Sequence, residues 1–304
     1  MRLGFGLPVS GAWATPDNVA HVARDAERHG FCGLWTFQRW LAGPNLDGVY
    51  QSVLDPVVAL GFAAAITSRA RLGLAVVNGP FYAPVALAKQ LAALDVLSAG
   101  RLDAGIGLGW SAEEYAAAGV PMENRGARFD EWLDCVNALL TGEDVEFAGE
   151  FYQVPSSHIA PPPVQFPRPP LLIGGSSPAA LRRAGVRGDG WISSSRASVD
   201  EVRAASVAVR HAAAEAGKDP SLIRCVVRGV VQLRDAAVDG ADRRPLTGTL
   251  EQLHDDLGTY ASLGVDEVFL DLNFDSEQVG NPTADPALAL AIADRLMPLG
   301  TEIW

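Results

Sequence analysis

Leu97-Ser98-Ala99-Gly100-Arg101-Leu102-Asp103-Ala104-Gly105-Ile106-Gly107-Leu108-Gly109-Trp110 is the stretch on which the fold turns. A helix ends in it, a short apolar strand follows, and the chain opens into three alternate glycines and a tryptophan. Glycine at 105, 107 and 109 strips side chains from the strand and its exit. Bare backbone lets a flat or anionic ligand come close. The same spacing also suits a strand that needs small residues to pack inside a crowded barrel. Both readings stand on this stretch alone.

Outward from it, short apolar segments alternate with amphipathic ones. Strands are expected at Leu3–Leu7, Gly33–Phe37, Arg71–Val77, Leu102–Leu108, Leu171–Ile173, Gly190–Ser194, Ile223–Leu233 and Asp266–Leu272. Helices fall between them. Thr15-Pro16 and Asp55-Pro56 read as an N-cap followed by proline at the first helical position. Pro84–Leu97 and Arg125–Leu140 are further helices, the second with Phe129, Leu133, Val136 and Leu140 on one face. Ser111-Ala112-Glu113-Glu114, Ser198-Val199-Asp200-Glu201 and Thr249-Leu250-Glu251-Gln252 fit capping boxes. A last helix runs from about Asp285 to Pro298.

Residues 142–170 break the rhythm, with seven prolines and room for a short hairpin around Val145–Val154. Eight strands alternating with helices predict an α/β fold, a (β/α)8 TIM barrel with insertions, the largest around residues 142–170. The whole chain, 1–304, reads as one such domain. A doubly wound sheet would want Gly-x-Gly-x-x-Gly after its first strand. Gly105-Ile106-Gly107-Leu108-Gly109 has the wrong spacing and comes at the fourth.

Composition narrows the function. Net charge is −12 with no basic concentration, which argues against nucleic acid and anionic membrane as partners. The N-terminal apolar run is too short for a signal peptide, and Val57–Ile66 is about half a membrane span. Cys32, Cys135 and Cys225 lie far apart, as in a reduced, cytoplasmic chain. Lysine occurs only at 89 and 218, and arginine supplies the rest of the 24 basic residues, a skew suggestive of a GC-rich genome.

In a barrel, function collects in the loops after the strands. Four stand out: Thr36–Trp40, Ala75–Tyr82, Gly105–Trp110 and Gly174–Ser177. The last joins a strand to a helix N-terminus, where free amides and two serine hydroxyls suit an anion. Trp35, Phe37, Trp40, Phe81, Tyr82 and Trp110 are expected to converge on one mouth. No histidine has metal-ligand spacing, so no metal is expected. No nucleophile elbow appears, and both lysines belong to helical stretches or their ends. Glycine walls, aromatics and a phosphate turn with few acids and bases point to a cofactor as the reactive group.

Several stretches are together similar to the luciferase-like monooxygenase superfamily. They are Ala88-Lys89-Gln90-Leu91-Ala92-Ala93-Leu94-Asp95-Val96-Leu97-Ser98-Ala99-Gly100-Arg101, the glycine strand with Trp110, Glu113-Glu114, and Arg125-Gly126-Ala127-Arg128-Phe129-Asp130-Glu131. Pro170-Leu171-Leu172-Ile173-Gly174-Gly175-Ser176 and Gly188-Asp189-Gly190-Trp191 complete the set. One branch of that superfamily uses reduced FMN with oxygen, another the deazaflavin coenzyme F420. Phe37-Gln38-Arg39-Trp40 resembles the Phe-Gln-Pro-Trp of F420-dependent glucose-6-phosphate dehydrogenases, and the composition suits actinobacteria.

The resemblance implies an F420-dependent oxidoreductase moving a hydride between deazaflavin C5 and an organic substrate. It implies a non-prolyl cis peptide at Ala75–Val76 behind the ring, Gly107 and Gly109 against the cofactor, Gly174, Gly175, Ser176 and Ser177 on its phosphate, and Asn78 as a ring or ribityl contact. It also implies a homodimer. Thr36 stands where the sugar-phosphate enzymes carry histidine, and Trp110 where they carry the catalytic glutamate. These departures argue against that substrate. Thr36, Trp40 and Trp110 remain the positions facing the chemistry, with Thr36 also beside the cofactor. The aromatics suggest a large, mostly apolar substrate, and Arg196 is a candidate contact for an anionic one. An FMN-dependent monooxygenase and a non-catalytic flavin-binding barrel are the alternatives.

Overall fold

The computed structural model describes residues 1–240 and 243–302. Eight strands pair in parallel, each with the next: β1 (Arg2–Gly6), β2 (Gly33–Thr36), β3 (Arg71–Leu74), β4 (Leu102–Gly107), β5 (Leu171–Gly174), β6 (Gly190–Ile192), β7 (Arg224–Val230) and β8 (Glu267–Asp271). β8 returns to β1 in the register Arg2↔Glu267 to Phe5↔Leu270, so the sheet closes. Outside it lie α1 (Pro16–Arg28), α2 (Pro56–Ile66), α3 (Pro84–Leu97), α4 (Ala112–Ala117), α5 (Arg125–Thr141), α6 (Pro178–Arg187), α7 (Val199–Glu215), α8 (Leu250–Ser262) and α9 (Pro286–Leu296). This is the expected (β/α)8 barrel. Among the described residues no helix is long and apolar enough to cross a membrane.

Two strands are shorter than their apolar runs. β3 stops at Leu74, where the Ala75–Val76 peptide is cis, and Val77–Asn78 resumes the pairing against Ile106 and Gly107. β7 stops at Val230, and Gln232–Leu233 leaves the barrel to pair with Thr247–Gly248. Apolar content alone could not show either break, because both flanks of each are strand-like.

The helix starts follow the caps. Thr15, Asp55, Ser177 and Asp285 each accept an amide hydrogen bond just before a proline. Ser198 and Thr249 form full capping boxes. Ser111 does not. Its hydroxyl accepts from the Glu114 amide, but the Glu114 side chain turns away. Its Oε1 accepts instead from the amides of Trp40 (2.7 Å) and Leu41 (3.2 Å) and lies 3.3 Å from Arg39 Nε. Both charged side chains are almost wholly buried.

The proline-rich excursion carries the expected hairpin, Val145–Ala148 against Gln153–Ser157. Buried Asp95 on α3 then fastens it, accepting from the amides of Val164 (2.8 Å) and Gln165 (2.9 Å) and from the Gln165 side chain (2.7 Å).

One indole dominates the barrel interior. Trp35 points inward from β2, stacks on Phe269 at 5.0 Å and packs with Leu172, Ile192 and Val226. A methyl carbon at Gly73 would lie 2.1 Å from its ring, so β3 needs glycine there. The floor beneath is ionic. Asp103 accepts from Arg71 (2.8 and 2.7 Å) and Arg224 (2.7 and 3.2 Å), while Glu267 accepts from Trp35 Nε1 at 2.7 Å and from Arg224 at 3.3 Å. Burial pushes the Asp103 carboxyl up, but the two guanidiniums outweigh it and hold the group low. Burial and the Asp103 charge push Glu267 up. Charges at the N-terminal end of a barrel act on stability.

Asp103→Ala leaves two arginines without their shared anion and is expected to destabilise the fold by about 3 kcal/mol in urea unfolding. Glu114→Ala frees two loop amides and strands buried Arg39. A loss of about 3 kcal/mol is expected, with faster proteolysis within residues 39–47.

Candidate active site

The mouth is assembled from the ends of β2, β3, β4 and β5. Register places Asn78 beside Gly107, and Ile106 beside Ile173, so Gly107 and Gly174 lie at neighbouring levels. Between them sits Val76. A methyl carbon at Gly107 would meet Val76 Cγ2 at 2.5 Å, and one at Gly174 would meet Val76 Cγ1 at 3.0 Å. Gly105 has a different reason. A methyl carbon there would lie 1.7 Å from the Leu74 carbonyl oxygen. The alternate glycines thus divide: Gly105 serves packing, and Gly107 admits Val76. Gly109, at φ +80°, turns the chain beside Asn78 and Phe81.

Gly175, at φ +130°, bends β5 into α6. Ser177 Oγ accepts from the Ala180 amide as N-cap, Ser176 is exposed, and Trp191 Nε1 donates to the Gly175 carbonyl at 2.7 Å. The Ser176 and Ser177 amides have no acceptor among the described residues. This is a turn with donors to offer an anion.

Polar ties join the loops. Gln38 accepts from the Asn78 amide at 2.8 Å and donates to the Tyr82 hydroxyl at 2.6 Å. Trp40 Nε1 reaches the same hydroxyl at 3.4 Å. Burial raises the Tyr82 pKa against the pull of both donors. Thr36 is buried, and its hydroxyl donates to the Pro56 carbonyl at 3.3 Å. Ala75, also buried, donates its amide to the Thr36 carbonyl at 2.7 Å.

The six aromatics expected at the mouth do not all gather there. Trp35 belongs to the barrel interior, because inward strand positions fill the core before they reach a loop. Phe37 is buried with Tyr50 and Phe274. Trp40 is 37% exposed against Phe81 and Tyr82, and Trp110 is 61% exposed beside Tyr50. Beside Trp110 opens a hollow of about 490 Å³, lined also by Tyr50, Asp47, Ser194 and Arg196.

Three residues that sequence reasoning passed over hold this arrangement. Gln38 and Arg39 lay inside the quoted tetrapeptide. Arg39 sets its guanidinium over the Trp110 ring at 4.9 Å and over Tyr50 at 5.5 Å while it pairs with Glu114. Arg228 on β7 is the third. Its side chain is 9% exposed, with the guanidinium 4.8 Å from Phe274 and its Nε 3.5 Å from Asp271. Burial lowers the Arg228 pKa, against the pull of Asp271. The signal for it was the even spacing of Arg224, Val226 and Arg228, which puts both arginines on one strand face. Elsewhere, His21, Asp25 and Asp294 meet on the outer helices α1 and α9, a juxtaposition that spacing along the chain did not suggest.

The family model for luciferase-like monooxygenases matches residues 4–255. An uncharacterized protein of Mycobacterium tuberculosis is 37% identical over 216 residues, covering 66% of this chain and 75% of its own length. An FMNH(2)-dependent dimethylsulfone monooxygenase of Pseudomonas putida is 31% identical over 200 residues, covering 63% of this chain and 54% of that protein. Among solved structures, an F420-dependent secondary alcohol dehydrogenase superposes with a TM-score of 0.81 at 16% identity over 99% of both chains. The monooxygenase RslO1 from Streptomyces bottropensis gives 0.80 at 24% identity over 98% of both. With the family model matching residues 4–255, well over half of the chain, the chain belongs to the luciferase-like monooxygenase family.

Proposed function

We propose that this chain is a coenzyme F420-dependent oxidoreductase acting on an organic substrate. The observation that carries the cofactor reading is the seat formed by Val76, with Gly107 and Gly174 cleared behind it. A flat tricyclic ring needs a firm apolar backing with no neighbouring side chain in its plane, and these residues fit that need. Val76 would carry the ring, and Asn78 would face its ribityl side. The turn Gly174, Gly175, Ser176 and Ser177 would hold the phosphate through free amides and hydroxyls. When bound, the deazaflavin supplies C5 as hydride donor or acceptor.

The chain's own side chains position and shield. Trp40 and Trp110 present apolar faces that exclude water from the mouth. Thr36 is buried with its hydroxyl proton committed to the Pro56 carbonyl, so it would support the mouth from beneath instead of meeting the substrate. It cannot replace a basic histidine. The retained Phe37, Gln38 and Trp40 favour the deazaflavin branch. A second reading, an FMN-dependent monooxygenase, is favoured by the identity to the dimethylsulfone enzyme, and the same seat would accept FMN.

Fluorescence titration separates the two readings. Saturable quenching with F420, at an affinity about tenfold or more above that for FMN, is expected. The reverse order, with oxygen uptake on reduced FMN, overturns the deazaflavin assignment. Gly107→Ala drives a methyl into Val76 and is expected to weaken cofactor binding by about tenfold, read in the same titration. Gly105→Ala, which meets backbone instead, should show its main effect in thermal unfolding.

A further inference from the structure

Three adjoining hollows follow the mouth from Trp110 toward β7, and Ser195 and Arg196 line all of them. One of them, about 250 Å³, is lined by Arg196, Arg228, Arg243, Arg244 and Tyr260, and among the described residues none that lines it is acidic. The chain carries a net charge of −12, so a hollow whose charged described residues are all basic does not follow from its composition.

The four arginines are not equally neutralised. Arg243 is held by Asp256 in a two-point pair at 2.9 and 2.7 Å. Arg196 is exposed and 3.4 Å from Asp47. Arg244 donates to the Ser195 carbonyl at 3.1 Å and, among the described residues, pairs with no carboxylate. Arg228 is nine-tenths buried, yet its Nε makes no hydrogen bond, with Asp271 3.5 Å away, and among the described residues its other guanidinium nitrogens have no acceptor. The rings of Phe37, Phe269 and Phe274 offset part of that cost. They supply no acceptor for the N–H groups, and a buried donor left without one is costly. The Tyr260 hydroxyl makes no hydrogen bond among the described residues either.

We infer that this hollow receives an acidic group, a carboxylate or phosphate, carried by the organic substrate. Arg228, Arg244 and Tyr260 would donate to it, with Arg196 at the entrance. The assignment rests on reading the mouth as a substrate site. It makes the substrate amphiphilic, with an apolar body against Tyr50 and Trp110 and an acidic end toward β7. The substrate is favoured over the cofactor because the phosphate turn belongs to β5, and none of its residues lines the hollow.

The test is calorimetric titration of the full chain, with and without F420, using inorganic phosphate, benzoate and its neutral counterpart benzamide. Saturable binding of phosphate and benzoate is expected, with benzamide about tenfold weaker or more. Arg244→Gln should weaken benzoate by about tenfold and leave the affinities for F420 and FMN unchanged, and Arg228→Met should abolish benzoate binding. If Arg228→Met fails to fold, exposed Arg244 decides. Equal binding of benzoate and benzamide, no saturable binding of either anion, or an Arg244→Gln variant that keeps full benzoate affinity overturns the inference. So does a variant that loses cofactor affinity instead, which would give the hollow to the cofactor. No turnover is needed, so a wrong cofactor assignment leaves this result readable.

Discussion

The barrel closes around a single indole, and much of the molecule follows from accommodating it. Trp35 occupies the interior between Phe269 and the aliphatic inward residues, its Nε1 satisfied by buried Glu267. A ring of that size leaves no room on the strand beside it, hence glycine at 73. The Glu267 carboxylate that accepts from the indole must itself be balanced, and Arg224 does this while also serving Asp103. Packing and electrostatics at the floor are therefore one problem, because a buried acceptor for the indole brings a charge that needs a partner.

The mouth is governed by a second constraint, the placing of Val76. Two glycines on two different strands clear the space it occupies, so the seat depends on the registers of β4 and β5 as much as on the residues. The loops around it are tied by side chains reaching across strands: Gln38 to Asn78 and Tyr82, Glu114 to Trp40 and Leu41, Arg39 to Trp110. A rigid seat with cross-tied rims suits a site whose reactivity comes from a bound cofactor, since the protein's share is then to position and to shield.

The Arg228 hollow gives the far side of the mouth a different character. Tyr50 and Trp110 line the hollow at one end, and Arg228, Arg243 and Arg244 the hollow at the other, with Arg196 lining both and Asp47 facing the Trp110 side. A ligand matched to both ends would be oriented as well as held, because only one direction places its charge against the arginines.

The order of strands and helices was legible in the sequence because it depends on local signals: alternating apolar runs, prolines behind capping residues, and glycines after helices. The resemblance to the family likewise placed the cis peptide at Ala75–Val76, where it is found. What the sequence could not supply was the partner of each side chain. The same spacing of glycines served packing at 105 and a neighbouring valine at 107, and the same Ser-x-x-Glu that closes a box at 198 sends Glu114 to another loop. Arg228 looked like one more residue of an apolar strand until the tertiary fold surrounded it with rings and other arginines. Local propensity acts over a few residues, and the sequence determined the elements through it. Long-range contacts, which only barrel closure brings together, decided which groups meet.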